Sequence, residues 1–286
     1  MRDNPWLERR VIAYAHQGGA KEAPSSTLYA IKQALEHGAT GIELDVHATS
    51  DGQLVVCHDP TLDRTTNATG DIADLRLDEI RHLDNAYWFC PGADAVKGRP
   101  VEDYVLRGRA PDDRDLCVAT LSEVLEAFPG VVLNLDLKRS APEVAAYEEA
   151  LADVLREHGR QDDVIVASFS DTATAEFAKH APGTGISAGT EATTEFYRRV
   201  RAGRRPQADI ERYVALQVPA RFGSTVVVDE SFVEAAHSSG LAVHVWTIDD
   251  PDEMEHLVGL GVDGIMSDRP SVLAGVLRRL GSNWKL

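Results

Sequence analysis

The segment Gly41 to His47 reads GIELDVH, and its polar residues Glu43, Asp45 and His47 alternate with apolar ones. Alternate side chains of an extended strand share a face, so the three project together. A short apolar run, LVVCHD, ends on His58 and Asp59, and an earlier run, VIAYAH, ends on His16. Acids and histidines gathered at the ends of adjacent strands form a metal site with proton-transfer groups beside it, the equipment of a hydrolytic enzyme. The alternative, a structural ion pair, would need two buried cations to offset the desolvation of Glu43 and Asp45.

Those residues need strands to hold them. Strand-like runs fall at Val11–Ala15, Gly41–Val46, Val131–Leu137, Val164–Phe169, Gly183–Ala188, Val214–Val218, Ala242–Ile248 and Gly264–Ser267. Amphipathic stretches separate most of them: Thr27–His37, Glu143–His158, Asp171–His180, Ser231–Ser239, Glu253–Gly259 and Ser271–Leu280. Ser122 and Asp171 read as helix caps, and Pro251 and Pro270 as first-turn residues. Eight β/α units fit this rhythm. No GxGxxG follows the first strand, and polar residues recur at the C-terminal ends of many strands, which favours a closed α/β (β/α)8 TIM-type barrel over an open doubly wound sheet.

The 286 residues suit one such domain, and 43% hydrophobic content is enough for its core. Residues 71–115 break the rhythm with Tyr87, Trp88, Phe89, Tyr104 and the charged run GRAPDDRD, and read as an insertion over the barrel mouth. A formal net charge of −17 repels nucleic acid and gives no general attraction to an anionic membrane. The N-terminal MRDNPWLERR has no apolar signal core, and no uncharged run reaches membrane-spanning length. A cytoplasmic protein with no stable membrane insertion is expected. Cys57, Cys90 and Cys117 lack CxxC spacing and read as reduced, with Cys57 in the core.

The motifs HQGG, APSST and GIELDVHATSDGQLVVCHDPTLDRTT resemble the opening signature of the glycerophosphodiester phosphodiesterase family, whose usual form is HRG, then PENT, then ElDV…T.DG.lVv.HD…DRTT. The likeness continues through LNLDLK (family LNIEIK), VASF (SSF), VWTID (VWTVN) and GVDGIMSDRP (GVDGIITDRP), with spacing kept over nearly the whole chain. This resemblance implies a TIM-type barrel that uses a divalent cation to cleave small-molecule glycerophosphodiesters to glycerol 3-phosphate and an alcohol. Carried over by position, Glu43, Asp45 and Asp136 hold the metal, His16 and His58 are the acid/base pair, and Lys138 is the cationic phosphate partner. Asp136 stands where the usual residue is Glu. Three carboxylates suit Mg²⁺ or Ca²⁺ better than zinc. His16 is read as the base and His58 as the leaving-group acid, with either the substrate's own hydroxyl or water as first nucleophile. His47 matches no catalytic position of the family and is read as supporting its neighbours. Trp246 either lines the pocket or fills the core, and Asp63, Arg64 and Thr65 are read as pinning their loop.

The chain also departs from the pattern. Gln17 replaces the arginine of HRG, and Ser25 and Ser26 replace Glu and Asn of PENT. A cation and an anion are absent together, which points to a coupled replacement, and Gln17 offers the phosphate only a neutral amide. Lys21 is a nearby positive charge. Lysophospholipase D-like action on lipid phosphodiesters and a catalytically silent barrel that binds a phosphorylated metabolite are the alternative readings.

Overall fold

The computed structural model describes residues 4–8, 11–138 and 146–282. Eight parallel strands form the barrel: β1 Ile12–His16, β2 Gly41–Ala48, β3 Val132–Leu137, β4 Val164–Ala167, β5 Gly185–Ala188, β6 Ala215–Pro219, β7 Ala242–Trp246 and β8 Gly264–Ser267. Each pairs with the next, and β1 pairs with both β2 and β8, so the sheet closes. One helix follows each strand: α1 Leu28–Glu36, α2 Leu121–Ala127, α3 Glu148–Glu157, α4 Asp171–His180, α5 Thr190–Arg201, α6 Glu230–Ser238, α7 Pro251–Leu260 and α8 Pro270–Leu280. The expected barrel is therefore the observed one. Of the expected helix Glu143–His158, residues 143–145 lie outside the described residues.

Two apolar layers hold this arrangement. The larger lies between strands and helices and includes Ile42, Leu44, Leu133 and Leu135. A smaller one fills the barrel interior, where Trp6, Ile12, Tyr14, Ile165 and Met266 pack. Trp6 belongs to the short helix Pro5–Glu8, anchored by Asn4, whose amide donates to the Val214 and Gly240 carbonyls at 2.8 Å each. Tyr14 lies so close to its neighbour strand that a Cβ at Gly41 would stand 2.7 Å from the ring. Only glycine leaves that room.

Capping differs from the expectation in two places. Thr120, not Ser122, caps α2, in a box where its hydroxyl accepts from the Glu123 N–H and the Glu123 carboxylate accepts from its own. Ser170 caps α4, which frees Asp171 to accept from the N–H groups of Gly189 and Glu191 and from the Tyr213 hydroxyl. Pro251 and Pro270 stand in first turns as expected. Between β2 and α2, Leu54–Val56 runs antiparallel to β2 and carries the chain to His58. Residues 71–115 then form short helical turns and a two-residue hairpin, Phe89–Cys90 with Asp94–Ala95.

One polar group inside the barrel is proton-sensitive. His244 is fully buried, its Nε2 has no hydrogen-bond partner, and burial lowers its pKa to about 3. The unfolded chain binds a proton there below the ordinary value and the folded chain does not, so stability falls as pH drops from 6.5 toward 3. In denaturant titrations, His244→Leu is expected to remove ~3 kcal/mol of the stability lost between pH 7 and 4. An unchanged pH slope would contradict this assignment.

Candidate active site

Strand register assembles the site. His16 at the end of β1 stands opposite Glu43 on β2, and Asp45 stands opposite Asp136 on β3. The sequence period gives Glu43 and Asp45 a common face; the register adds a third acid beside them. Glu43 and Asp45 are buried, at 4% and 1% exposure. Burial raises the Glu43 pKa, while burial and then the charge of Glu43 push Asp45 up to about 7.

Lys138, just past β3, answers this charge. Its Nζ lies 2.9 Å from Asp45 Oδ1 and 2.6 Å from Asp136 Oδ2. Burial lowers its pKa, but Asp45 and Asp136 outweigh that and raise it, so the ammonium stays charged. Asp45 Oδ2 is buried with no hydrogen-bond partner.

Two histidines stand above the acids. His16 Nδ1 donates to Asp268 Oδ1 at 2.6 Å, and His58 Nδ1 donates to Asp59 Oδ1 at 2.6 Å. Their rings meet edge to face with centroids 6.1 Å apart. His16 Nε2 lies 3.8 Å from Glu43. Burial lowers the His16 pKa, but Glu43 and then Asp268 outweigh it and raise it to about 9. The hydrogen bond from His58, against burial and with Arg64, holds Asp59 at about 2. His47 does not line the cavity: its Nε2 donates to the His58 carbonyl at 3.4 Å, and burial lowers its pKa to about 4. A neutral His47 therefore braces the loop that carries His58.

Gln17 is buried in a left-handed conformation, φ 53°. Its N–H donates to Glu43 Oε2 at 3.0 Å, and its side-chain amide lies 3.3 Å from His16 Nε2. Arg64 pins its loop by donating to Asp59 at 2.9 Å and to Asp94 at 2.6 Å, and it also donates to Gln17 Oε1 at 3.3 Å. Lys21 faces Asp249 and Asp268, at 2.5 and 3.6 Å, and so balances the acids behind His16. The hydroxyls of Ser25 and Ser26 are buried without partners.

A cavity of about 650 Å³ opens above these groups, with His16, His58, Lys138 and the three acids at one end. Asn134 and Gln217 line it lower in the barrel, joined by a 2.5 Å hydrogen bond. Trp246 is half-buried: it lines the cavity and also packs against the interior core. Its ring meets Phe169 edge to face at 5.9 Å, and Tyr197 and Phe222 extend the apolar wall. Sequence reasoning missed Asp268, Asn134, Gln217 and, of this wall, Phe169, Tyr197 and Phe222. For Asp268 a signal was present, an acid directly after strand β8 in GVDGIMSDRP. Phe222 sits on a short hairpin, Arg221–Phe222 with Thr225–Val226, that no periodicity marks.

Residues 16–272 match the glycerophosphoryl diester phosphodiesterase family. A glycerophosphodiester phosphodiesterase of Caldanaerobacter subterraneus subsp. tengcongensis is 30% identical over 280 residues, covering 95% of this chain and 100% of that one. A Bacillus subtilis protein of the same name is 28% identical, over 92% of this chain and 85% of that one. The crystal structure of an Agrobacterium tumefaciens glycerophosphodiester phosphodiesterase superposes with a TM-score of 0.70 at 27% identity, covering 94% and 99% of the two chains. With the family matched from His16 into α8, and with a relative covered end to end, the chain belongs to the glycerophosphoryl diester phosphodiesterase family and is an enzyme of that class.

Proposed function

We propose that this enzyme hydrolyses glycerophosphodiesters to glycerol 3-phosphate and an alcohol, with His16 and His58 moving the protons and a divalent cation, Mg²⁺ or Ca²⁺, held by Glu43, Asp45 and Asp136. The observation that carries this reading is the pair of carboxylate-backed histidines, 6.1 Å apart above three acids. A silent binding barrel has no use for such a pair. The chain is read as one barrel domain, residues 1–286, with 71–115 as an insertion at its mouth, where Asp94 braces Arg64.

The donor set suits the cation. It is all oxygen, Asp45 Oδ2 is buried without a partner, and the raised pKa values of Glu43 and Asp45 mark charge in need of an offset. As the side chains stand, no three His, Cys, Asp or Glu among the described residues are grouped to hold an ion, and Lys138 bridges Asp45 and Asp136. The fit therefore requires Lys138 to release one carboxylate. When bound, the cation supplies Lewis-acid stabilisation of charge on the phosphate oxygens.

The residues do the rest. With the Glu43 charge neutralised, the largest effect holding a proton on His16 is gone, burial lowers its pKa, and Nε2 can take the proton of the attacking hydroxyl. Asp268 fixes the ring through Nδ1. His58, held at Nδ1 by Asp59, gives its Nε2 proton to the leaving alcohol oxygen. Lys138, freed from one acid, meets the phosphate charge that Gln17 cannot. The wall of Phe169, Tyr197, Phe222 and Trp246 suits an apolar leaving group, so a lysophospholipid is the second substrate to assay beside glycerophosphocholine.

Three outcomes are expected with glycerophosphocholine as substrate. Chelation abolishes release of glycerol 3-phosphate and added Mg²⁺ or Ca²⁺ restores it; full activity in metal-stripped protein would refute the three-acid site. His16→Ala and His58→Ala each lower kcat by roughly 10² or more with unchanged circular dichroism, and a near-normal kcat removes that histidine from the mechanism. Lys138→Ala lowers kcat/KM by about 2–4 kcal/mol in transition-state terms; a loss confined to KM would mean that Lys138 binds the ground state only.

A further inference from the structure

The geometry points to a docking surface for anionic phospholipid bilayers at the corner formed by the C-terminal end of α5 and the hairpin Arg221–Val226. Although the chain carries a formal −17, residues 195–229 hold seven arginines against four acids, Glu195, Asp209, Glu211 and Asp229, a local +3. Three of the arginines are spent within the fold, Arg212 among them, since it donates to the Tyr213 hydroxyl and lies over that ring. Arg199 pairs with Glu195 at 2.6 Å, and Arg201 pairs with Asp229 at 2.6 Å while donating to the Val226 and Val227 carbonyls. Arg201 thereby ties the end of α5 to the hairpin. Arg198, Arg204, Arg205 and Arg221 are exposed and make no ion pair among the described residues.

Apolar groups stand beside these charges. Phe222 is 78% exposed and Val226 40%, both on the hairpin, and Phe169, which lines the same cavity as Phe222, is 60% exposed. Charge alone would serve to steer an anionic substrate, but an exposed phenylalanine on a hairpin tip gains nothing from steering. Arginine beside exposed aromatic and aliphatic side chains is the composition that lies at a lipid headgroup boundary, the cations on the phosphates and the apolar groups just below them. The acidic remainder of the surface does not cancel this, because a charge more than about 10 Å away is largely screened at ordinary ionic strength. Arg198, Phe222 and Thr225 also line the active-site cavity, so a bilayer docked here lies against its mouth.

Co-sedimentation with vesicles tests this without reference to catalysis. The wild-type chain is expected to sediment with phosphatidylglycerol vesicles at low salt, to be released by high salt, and to stay in solution with pure phosphatidylcholine. Phe222→Ser should weaken binding about tenfold by removing the apolar anchor. The double variant Arg204→Glu, Arg205→Glu should weaken it at least tenfold, with turnover of dissolved glycerophosphocholine unchanged. Arg278→Glu, at an exposed position of α8, is the control and should bind as the wild type does. Equal sedimentation with both lipids, wild-type binding by the double variant, or an equal loss in the α8 control would each overturn the proposal.

Discussion

Buried like charge is the constraint from which the rest of the site follows. Pairing of β2 with β3 sets Asp45 beside Asp136, and Glu43 is two residues from Asp45 on the same face. Carboxylates that close in a low-dielectric interior cannot all ionise without cations among them. Lys138 supplies one positive charge and His16 a second, and even so Asp45 is pushed up to about 7. The barrel makes the arrangement tolerable: Ile42, Leu44, Leu133 and Leu135 point the other way on the same two strands, into the strand–helix core, and fix the register that the acids alone would oppose.

The histidines inherit their difference from that charge. Both have a carboxylate at Nδ1, but His16 also looks at Glu43 across 3.8 Å, whereas His58 looks back along its own loop to Asp59 and Arg64. The proton on His16 is thus coupled to whatever balances Glu43, whereas the other member of the pair is tied to an Asp59–Arg64–Asp94 chain. Gln17 sits between the two systems, touching Glu43 and His16 on one side and Arg64 on the other. Its Oε1 accepts from the Arg64 guanidinium, a role that an arginine side chain, which only donates, could not fill.

What could be read from the sequence follows interaction range. The eight strands were legible because burial imposes a local pattern, and Glu43, Asp45, His16 and His58 were legible because they interrupt that pattern at strand ends. The caps were misread at Ser122 and Asp171 by one or two residues, since Thr120 and Ser170 present the same chemistry next door. The pairing of Lys21 with Asp249 and Asp268 and the reach of Arg64 to Gln17 span from 47 to more than 200 residues of sequence, and no local pattern encodes them. The apolar wall is assembled from the loop after β4, α5, β7 and an irregular hairpin, so only closure of the barrel brings it together.

Calorimetric titration of Mg²⁺ or Ca²⁺ into chelator-treated protein at pH 7, repeated in buffers of different ionisation enthalpy, tests the central claim most directly. Because Asp45 lies at about 7 before the cation arrives, binding should expel protons, about half of one from Asp45 alone. The measured heat should then change with the buffer in proportion. A cation that binds with no proton release, or fails to bind at all, would contradict an account built on buried carboxylates waiting for positive charge.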